Sequence, residues 1–305
     1  MKEEEAWLLG QPSLRKYLDF VDEMVIDGKL QSRIALADQW RAANDYYYEL
    51  EKREAGLVDK TGVFELDPSL KHLAGAVEAD SRFRRTFDLL PTRIAMVDLD
   101  QLIVSQVNVT LEHSRRLIAK IGPSPSPEDV FRFCLPLDRQ EAPVSVRKIG
   151  SKRYQFWSHS SDLRFLEPVL LNGDQISQYE SFGPMGGVVG LVVGFGSNFL
   201  NVIESGSRLL IHNGHHRAHA LRAMGLRQAP CIIQTVTRRD ELDLAASPDV
   251  AKSPEFYFSA ARPPMLKDFF DPRICKVLEV HKVQRMIELS FEVKDFEVRD
   301  FGDAR

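Results

Sequence analysis

The stretch from Leu209 to Leu221 constrains the fold more than any other part of the 305-residue chain. It begins with an apolar run that predicts a short strand, and it continues with the turn-forming pair Asn213-Gly214. A helical pattern that opens with two histidines and Arg217 follows. A strand that passes directly into a helix directs the free N–H groups of the first helical turn toward one point. Such a turn predicts a site for a phosphate group.

Each residue of this motif has an expected role in such a site. We expect Asn213 to cap the helix and Gly214 to allow close approach of an anion. Arg217 would hold a phosphate through two parallel hydrogen bonds. His215 and His216 would donate to a phosphoryl oxygen or transfer a proton near neutral pH. These five residues are the predicted phosphate-binding residues, and both histidines are also candidate catalytic residues.

The histidines of the motif also raise the question of a metal site. His215 and His219 are four residues apart, which is the spacing of two metal ligands on one face of a helix. The glutamate of the HExxH pattern is missing, and no third ligand is evident nearby in the sequence. We therefore predict no metal site formed by these histidines.

The sequence pattern of residues 1–90 predicts a helical region. Apolar residues recur at helical spacing within residues 12–56 and again within residues 68–90. No residue pattern in this third of the chain indicates chemistry, so we expect it to cap the rest of the molecule or to dock a partner.

After Pro91 the pattern changes to short strands and helices. Apolar runs predict strands at Ile94–Val97 and Leu102–Val104, and a helix is predicted from Thr110, its N-cap, to Ile121. The segment of residues 182–199 is rich in glycine but lacks the phosphate-loop pattern, so we predict a strand with turns there. The pattern then predicts a hairpin, the helix of the motif and another strand, at residues 198–212, 215–224 and 231–236. Alternating apolar and charged residues between Leu278 and Phe296 predict one or two half-buried strands, which would cover a sheet edge or make a homodimer contact.

Composition argues against several classes of protein. The net charge of −4 gives no basic excess for coating nucleic acid, so we do not expect nucleic-acid binding. The three cysteines form no CxxC pair, which argues against a zinc ribbon or a disulfide framework and predicts a reducing, cytoplasmic location. The charged N-terminus resembles no signal peptide, and no apolar run reaches the roughly 18 residues that span a bilayer, so we expect no membrane association.

The motif and its surroundings resemble the ParB/sulfiredoxin-like superfamily. The similarity is carried by Asn213-Gly214-His215-His216-Arg217, by Gly225-Leu226, and by Pro230 before an apolar strand. A second similarity lies at residues 96–106, which with the helix from Thr110 resemble the opening strand and first helix of that family. The two matched parts cover about residues 94–121 and 188–237.

The resemblance implies a fold class and a division of the chain. It implies an α+β protein with a small mixed-sheet core in residues 91–240, interrupted by an insertion at about residues 122–187. Residues 1–90 would then be a helical N-terminal region, and residues 241–305 a C-terminal extension that contains β-strands.

The resemblance also implies nucleotide chemistry. The superfamily includes DNA-partition proteins that bind CTP, sulfiredoxins that use ATP, free serine kinases, and relatives described as nucleases. The implied ligand is a nucleoside triphosphate or diphosphate (ATP, ADP or CTP), with Mg²⁺ bridging its phosphate oxygens. His215 replaces the sulfiredoxin cysteine, which disfavours sulfiredoxin chemistry. No helix-turn-helix is evident after Val236, which disfavours a role in DNA partition. The motif is closest to that of the serine kinases, although Asn213 replaces their aspartate.

The residues that would carry catalysis depart further from the family pattern. The family places a glutamate just after the first strand, where this chain has Ser105-Gln106-Val107-Asn108. Glu112 follows one helical turn later and is the candidate base, with Gln106 and Asn108 lining the pocket. We therefore expect a nucleotide-binding protein that catalyses phosphoryl transfer to a small molecule, or nucleotide hydrolysis.

Two alternatives from other classes stay open. The first is a non-catalytic, nucleotide-gated or ligand-sensing module that docks a partner protein, which the missing acid at Asn213 favours. The second, weaker because of the net charge, is a ParB-like nuclease or DNA-associated factor.

Overall fold

The computed structural model describes residues 2–11, 13–60, 62–138, 144–160, 162–172, 175–176 and 183–298. Pro12 and parts of the predicted insertion and C-terminal extension lie outside these residues. The chain forms two compact units. Unit 1 comprises Met1–Arg139 and Ser197–Lys282, and unit 2 comprises Gln140–Gly196 and Val283–Arg305. The combination of helices with several sheets confirms the predicted α+β class.

The regular elements of the described residues have the following bounds. The helices are α1 Leu14–Met24, α2 Arg33–Glu54, α3 Lys71–Ala79, α4 Ser81–Thr86, α5 Leu111–Ile121, α6 Pro127–Cys134, α7 His215–Ala223, α8 Arg239–Ala245, α9 Pro248–Lys252 and α10 Pro254–Phe258. The strands are β1 Lys2–Leu8, β2 Val63–Phe64, β3 Thr92–Asp98, β4 Ile103–Val104, β5 Asn108–Thr110, β6 Ser145–Gly150, β7 Arg153–Ser158, β8 Leu163–Leu171, β9 Val188–Phe195, β10 Asn201–Ser205, β11 Arg208–Asn213, β12 Gln228–Val236, β13 Cys275–His281 and β14 Arg285–Ser290.

A mixed six-stranded sheet forms the centre of unit 1. Its strand order is β2-β3-β12-β10-β11-β4. Strand β10 runs parallel to β12, and β11 runs parallel to β4, whereas β10 and β11 form the predicted antiparallel hairpin. Apolar runs in β11 and β12 are buried, as expected of strands covered on both faces. The predicted strands at Ile94–Val97, Leu102–Val104 and 231–236 are all confirmed.

Helix α7 packs its apolar side onto this sheet. Ala218 and Leu221 are fully buried and belong to the same apolar cluster as Ile211 of β11 and Leu200. Gly225, with φ of 88°, follows the helix and allows the chain to reverse into β12. The predicted order of strand, turn, helix and strand is therefore present.

A second sheet in unit 1 begins with a strand that was not predicted. Strand β1 pairs antiparallel with β13 on one side and with β5 on the other. The first half of β1 is charged, so it lacks the apolar alternation that predicts a strand. Its pairing partners from distant parts of the chain stabilise it. The N-terminal region is thus helical only after this strand.

Helices α1 and α2 cover the second sheet. Ser13 and Ser32 cap their N-termini through side-chain oxygens, as is common for serine at this position. Tyr17 of α1 and Tyr47 of α2 pack in one apolar cluster with Trp7 of β1. The predicted helical character of this region is confirmed for these two helices.

Unit 2 contains only strands among its described elements. Strands β14, β7 and β6 form one antiparallel sheet, and β8 and β9 form a separate hairpin. The glycine-rich segment contains the predicted strand as β9. Of the alternating pattern at residues 278–296, the first residues belong to β13 of unit 1 and Arg285–Ser290 form β14, whereas residues 291–296 are irregular and not the strand that the pattern predicts. No helix among the described residues combines the length and the apolar character that a bilayer crossing requires.

Candidate functional site

The turn between β11 and α7 depends on a glycine. Gly214 is the N-cap of α7 and has φ of 94° and ψ of 21°, in the left-handed region. Its carbonyl accepts the N–H groups of Arg217 (3.0 Å) and Ala218 (2.9 Å). A Cβ atom on Gly214 would come within 2.8 Å of Leu200 Cδ1. The glycine therefore serves the conformation of the turn and its packing on Leu200, and the predicted approach of an anion stays a prediction.

Asn213 is the last residue of β11 and not the helix cap that we predicted. Its Oδ1 accepts the N–H of Gly214 at 2.8 Å, and its Nδ2 donates to the carbonyl of Ser197 at 2.6 Å. The side chain fixes the turn and anchors the segment that leads into β10. Both groups of the amide are engaged in this way.

Arg217 turns its guanidinium toward the same segment. It is 8% exposed. Nη1 donates to the carbonyls of Asn198 (2.9 Å) and Cys134 (3.4 Å), and Nη2 donates to Asn198 Oδ1 at 2.7 Å. The guanidinium carbon lies 5.6 Å from the centroid of the Phe133 ring. Arg217 is thus enclosed by neutral groups.

The charge of Arg217 is not matched by an acid. Within the described part of the chain, no carboxylate comes within ion-pair distance of it, and its buried Nε has no hydrogen-bond partner. Burial lowers the pKa of Arg217, and electrostatic interactions with Cys134 and Asp138 only partly oppose that effect. A buried cation of this kind is costly unless an anion neutralises it.

The two histidines face a different part of the molecule. His216 Nε2 accepts the backbone N–H of Thr110 at 3.1 Å, and Ser105 Oγ lies 3.5 Å from His215 Nε2. The ring of His113 packs edge-on against His216, with 4.9 Å between centroids. The motif therefore joins residues 105–113 on one side and residues 197–200 on the other.

Burial keeps these imidazoles neutral. It lowers the pKa of His215 and of His216 to about 3, and neighbouring histidines add to the effect. His219 lies one turn further along α7, with Nδ1 2.9 Å from Ser114 Oγ, and burial lowers its pKa to about 4. In this environment, the predicted proton transfer near neutral pH is disfavoured, although a neutral imidazole still donates a hydrogen bond.

The other predicted site residues lie on the segment that His215 and His216 contact. Gln106 is exposed between Ser105 and Thr110. Asn108 Nδ2 donates to Glu5 Oε2 at 2.7 Å, which opposes the rise that burial causes in the pKa of Glu5. The segment thus brings both predicted pocket residues into the neighbourhood of α7.

Glu112 is on the first turn of α5 but is already engaged. Its Oε2 accepts the backbone N–H of Glu4 at 2.9 Å, and its Oε1 lies 3.6 Å from Arg115 Nη1. It lines a cavity of about 420 Å³ together with Lys2, Glu3, Arg115, Arg116 and Lys282. Neither this cavity nor a second one of about 180 Å³ is lined by residues 213–217.

The arrangement can bind an anion more readily than it can move a proton. The N–H groups of His215 and His216 come before Arg217, whose N–H is the first to bond to a carbonyl of the helix start, and they have no partner within the helix. With the partial positive charge of the helix start and the nearby cation of Arg217, they form a favourable environment for phosphate. The described residues contain no group of three metal-ligating side chains.

Sequence reasoning missed the partners that hold the motif in place. Asn198, Ser105 and Thr110 contact the motif through an amide, a hydroxyl and a backbone N–H. None of these groups carries a pattern that marks it, because each is defined only by the chain that packs against it. Of the three, only Ser105 lies in a part of the sequence that the resemblance singled out as functional.

Comparison with known proteins gives no relative from which a role could be transferred. No protein-family model matches the chain. No curated protein and no solved structure is significantly similar to it. The resemblance to the ParB/sulfiredoxin-like superfamily therefore rests on residues 94–121 and 188–237 alone, and the function has to be argued from the geometry around α7.

Proposed function

We propose that this protein binds a nucleotide through its phosphates at the start of α7. The observation that carries the proposal is the buried guanidinium of Arg217, which, within the described ranges, has no carboxylate partner and an unpartnered Nε–H. A bound phosphate would neutralise this cation and accept the free N–H groups of His215 and His216. The resemblance of residues 213–217 to a superfamily that handles nucleotides supports the same ligand class.

Binding without turnover is the form of the proposal that the geometry favours. His215 and His216 are held neutral by burial, with pKa values of about 3, so neither has the pKa of a general base that works at neutral pH. Glu112 accepts the N–H of Glu4 and lies 3.6 Å from Arg115 Nη1, so its carboxylate is engaged with β1 and α5 and makes no contact with residues 213–217 among the described bonds. We therefore place the nucleotide-gated binding module ahead of the enzyme.

Phosphoryl transfer remains the second candidate, and one observation favours it. Glu112 is two residues beyond Thr110, whose N–H bonds to His216, so the carboxylate lies on the helix turn nearest to the motif. Release of Glu112 from Glu4 would free a base on that side. Mg²⁺ would have to arrive with the nucleotide, since the described residues form no metal site of their own.

The test compares two arginines of the same helix. Arg217→Lys keeps the positive charge but removes the fork of N–H donors, whereas Arg222→Lys changes an arginine that pairs with Asp100. Thermal shifts are measured with ATP, ADP, CTP, GTP and pyrophosphate, with and without Mg²⁺. We expect one nucleotide to stabilise the wild type and Arg222→Lys. We expect Arg217→Lys to bind it at least about tenfold more weakly, which corresponds to roughly 1.4 kcal/mol.

Two results would reject the proposal. One is the absence of any stabilisation of the wild type by the whole panel. The other is an unchanged dissociation constant in Arg217→Lys, with circular dichroism confirming that this variant is folded. Phosphate release or transfer by the wild type, lost in Glu112→Gln, would select the enzyme over the binding module.

A further inference from the structure

Unit 2 presents a sheet edge with no partner strand in the described residues. Among the described residues, strand β6 pairs only with β7, and no described strand pairs with the backbone N–H and C=O groups of its other side. All six residues of β6 are exposed, including Val146 at 56% and Ile149 at 43%. An open edge that carries apolar side chains is a site at which another strand can be added.

The same unit contains a segment with the pattern of a strand but no pairing. Residues 291–298 follow β14, and all of them are exposed and irregular. Four of the eight are large and apolar: Phe291, Val293, Phe296 and Val298. The N–H of Phe291 bonds to the carbonyl of Lys152, and no strand contact continues from there. An exposed extended segment of this composition is suited to pairing with a sheet edge.

The charges of the edge and the segment are opposite. Strand β6 carries Arg147 and Lys148 and no acid, whereas residues 291–298 carry three carboxylates and one lysine. Two copies of β6 would bring like charges together, which disfavours direct pairing of one β6 with another. An acidic segment paired with a basic edge gains attraction instead.

One antiparallel register satisfies most of these side chains. It pairs Val146 with Phe296 and Arg147 with Asp295, in the part of β6 that precedes the register shift between Lys148 and Gly150. Lys148 would then face Lys294. The carboxylate of Glu292, 3.4 Å from Lys294 Nζ, lies on the same face and offsets that repulsion.

We propose that residues 291–298 of one copy add as a strand to the β6 edge of a second copy, so that two chains form a reciprocal dimer. Each copy has both the edge and the segment, so the exchange closes with two-fold symmetry and leaves neither element free. The contact is independent of the nucleotide site proposed above, because it uses only residues of unit 2.

The test is a charge exchange in the full chain, followed by analytical ultracentrifugation over a range of concentrations. The wild type should sediment as a concentration-dependent dimer. Arg147→Glu and Asp295→Arg should each raise the dimer dissociation constant about tenfold, since two symmetry-related pairs change from attraction to repulsion. The double variant should return to within about threefold of the wild type. Arg15→Glu, at a side chain that is 92% exposed on α1, is the matched control and should change nothing.

Three outcomes would overturn the proposal. The first is a wild type that stays monomeric at every concentration without protection of the amides of 291–298 in hydrogen exchange. The second is a monomer in which those amides are protected, which would mean that the segment pairs with its own chain. The third is a double variant that remains as weak as the single ones while circular dichroism shows all variants folded.

Discussion

At the scale of single residues, two buried arginines of unit 1 are held in opposite ways. The side chain of Arg262 is 1% exposed, and its guanidinium donates two hydrogen bonds to the carboxylate of Asp268, at 2.6 and 2.9 Å, and one to Glu54 at 3.0 Å. Arg217 is also buried, but within the described part of the chain it bonds only to carbonyl and amide oxygens. A described carboxylate neutralises the first arginine and none neutralises the second, which is why we connect only Arg217 with an anionic ligand.

The Arg262–Asp268 pair gives a prediction about stability. Asp268→Asn leaves a buried guanidinium opposite a neutral amide, and we expect it to lower the free energy of unfolding by about 3–5 kcal/mol. Asp240→Asn removes a partner of Arg238 from a pair that is mostly exposed, and it should cost at most about 1 kcal/mol. Urea unfolding of both variants measures the difference. Equal decreases in the free energy of unfolding would show that burial of the Arg262–Asp268 pair does not make its loss more costly.

The elements show which parts of the fold follow from local sequence. Apolar periodicity predicts β11, α7 and β12, because these elements bury their own regular pattern. It does not predict β1, whose charged half is a strand only because β5 and β13 pair with it. The contacts of the candidate site likewise depend on distant parts of the chain.

The motif residues were found from the sequence, but their partners were not. Arg217 meets Asn198 from the segment before β10, and His216 meets Thr110, more than a hundred residues earlier. Which side of α7 each residue faces depends on how helix and sheet pack, and no spacing rule contains that information. The sequence therefore predicts the strand, turn and helix of the site, and leaves the contacts that tune its charge to the three-dimensional structure.

The two glycines that flank α7 allow the cost of a left-handed backbone to be separated from the cost of a steric collision. Gly214 and Gly225 flank the same helix with φ of 94° and 88°. An alanine at Gly225 meets nothing within 4 Å, so it should cost only the strain of a left-handed residue, about 1–2 kcal/mol. An alanine at Gly214 would also collide with Leu200 and should cost about 1–3 kcal/mol more.

Thermal or urea unfolding of Gly214→Ala and Gly225→Ala measures this difference. A loss at Gly214 no larger than the loss at Gly225 would show that Leu200 moves away without cost. The turn would then tolerate a side chain, and its glycine would have to be explained by ligand access instead.

At the scale of the whole molecule, the chain does not divide where its sequence changes character. The boundaries predicted at residues 90 and 240 both fall within unit 1. The pairing of β1 with β13 joins the two ends of that unit across some 270 residues. Unit 2 is likewise made of two separate stretches of chain. Such divisions result from long-range strand pairing, which composition and local periodicity do not reveal.

The stability of the whole molecule should depend on pH through its buried histidines. In the folded chain, burial lowers the pKa values of His215 and His216 to about 3 and that of His219 to about 4, against 6.5 for an ordinary histidine. Between pH 6.5 and pH 4, the unfolded chain therefore binds protons that the folded chain does not. Above about pH 6.5 these histidines do not lower the free energy of unfolding. As the pH decreases through that window, the free energy of unfolding falls by up to about 1.4 kcal/mol per pH unit for each histidine.

His216→Gln tests this dependence, because glutamine retains an acceptor for the N–H of Thr110 but does not titrate. We expect the variant to fold and to lose less stability between pH 6.5 and pH 5 than the wild type, with a slope smaller by about 1 kcal/mol per pH unit. His72→Gln, at an exposed histidine at the start of α3, is the control and should leave the slope as it is. The measurement is the urea midpoint at several pH values. An unchanged slope in His216→Gln would mean that His216 accepts a proton in the folded state. The inference that His216 is neutral would then be wrong, and with it the reason for preferring binding over catalysis.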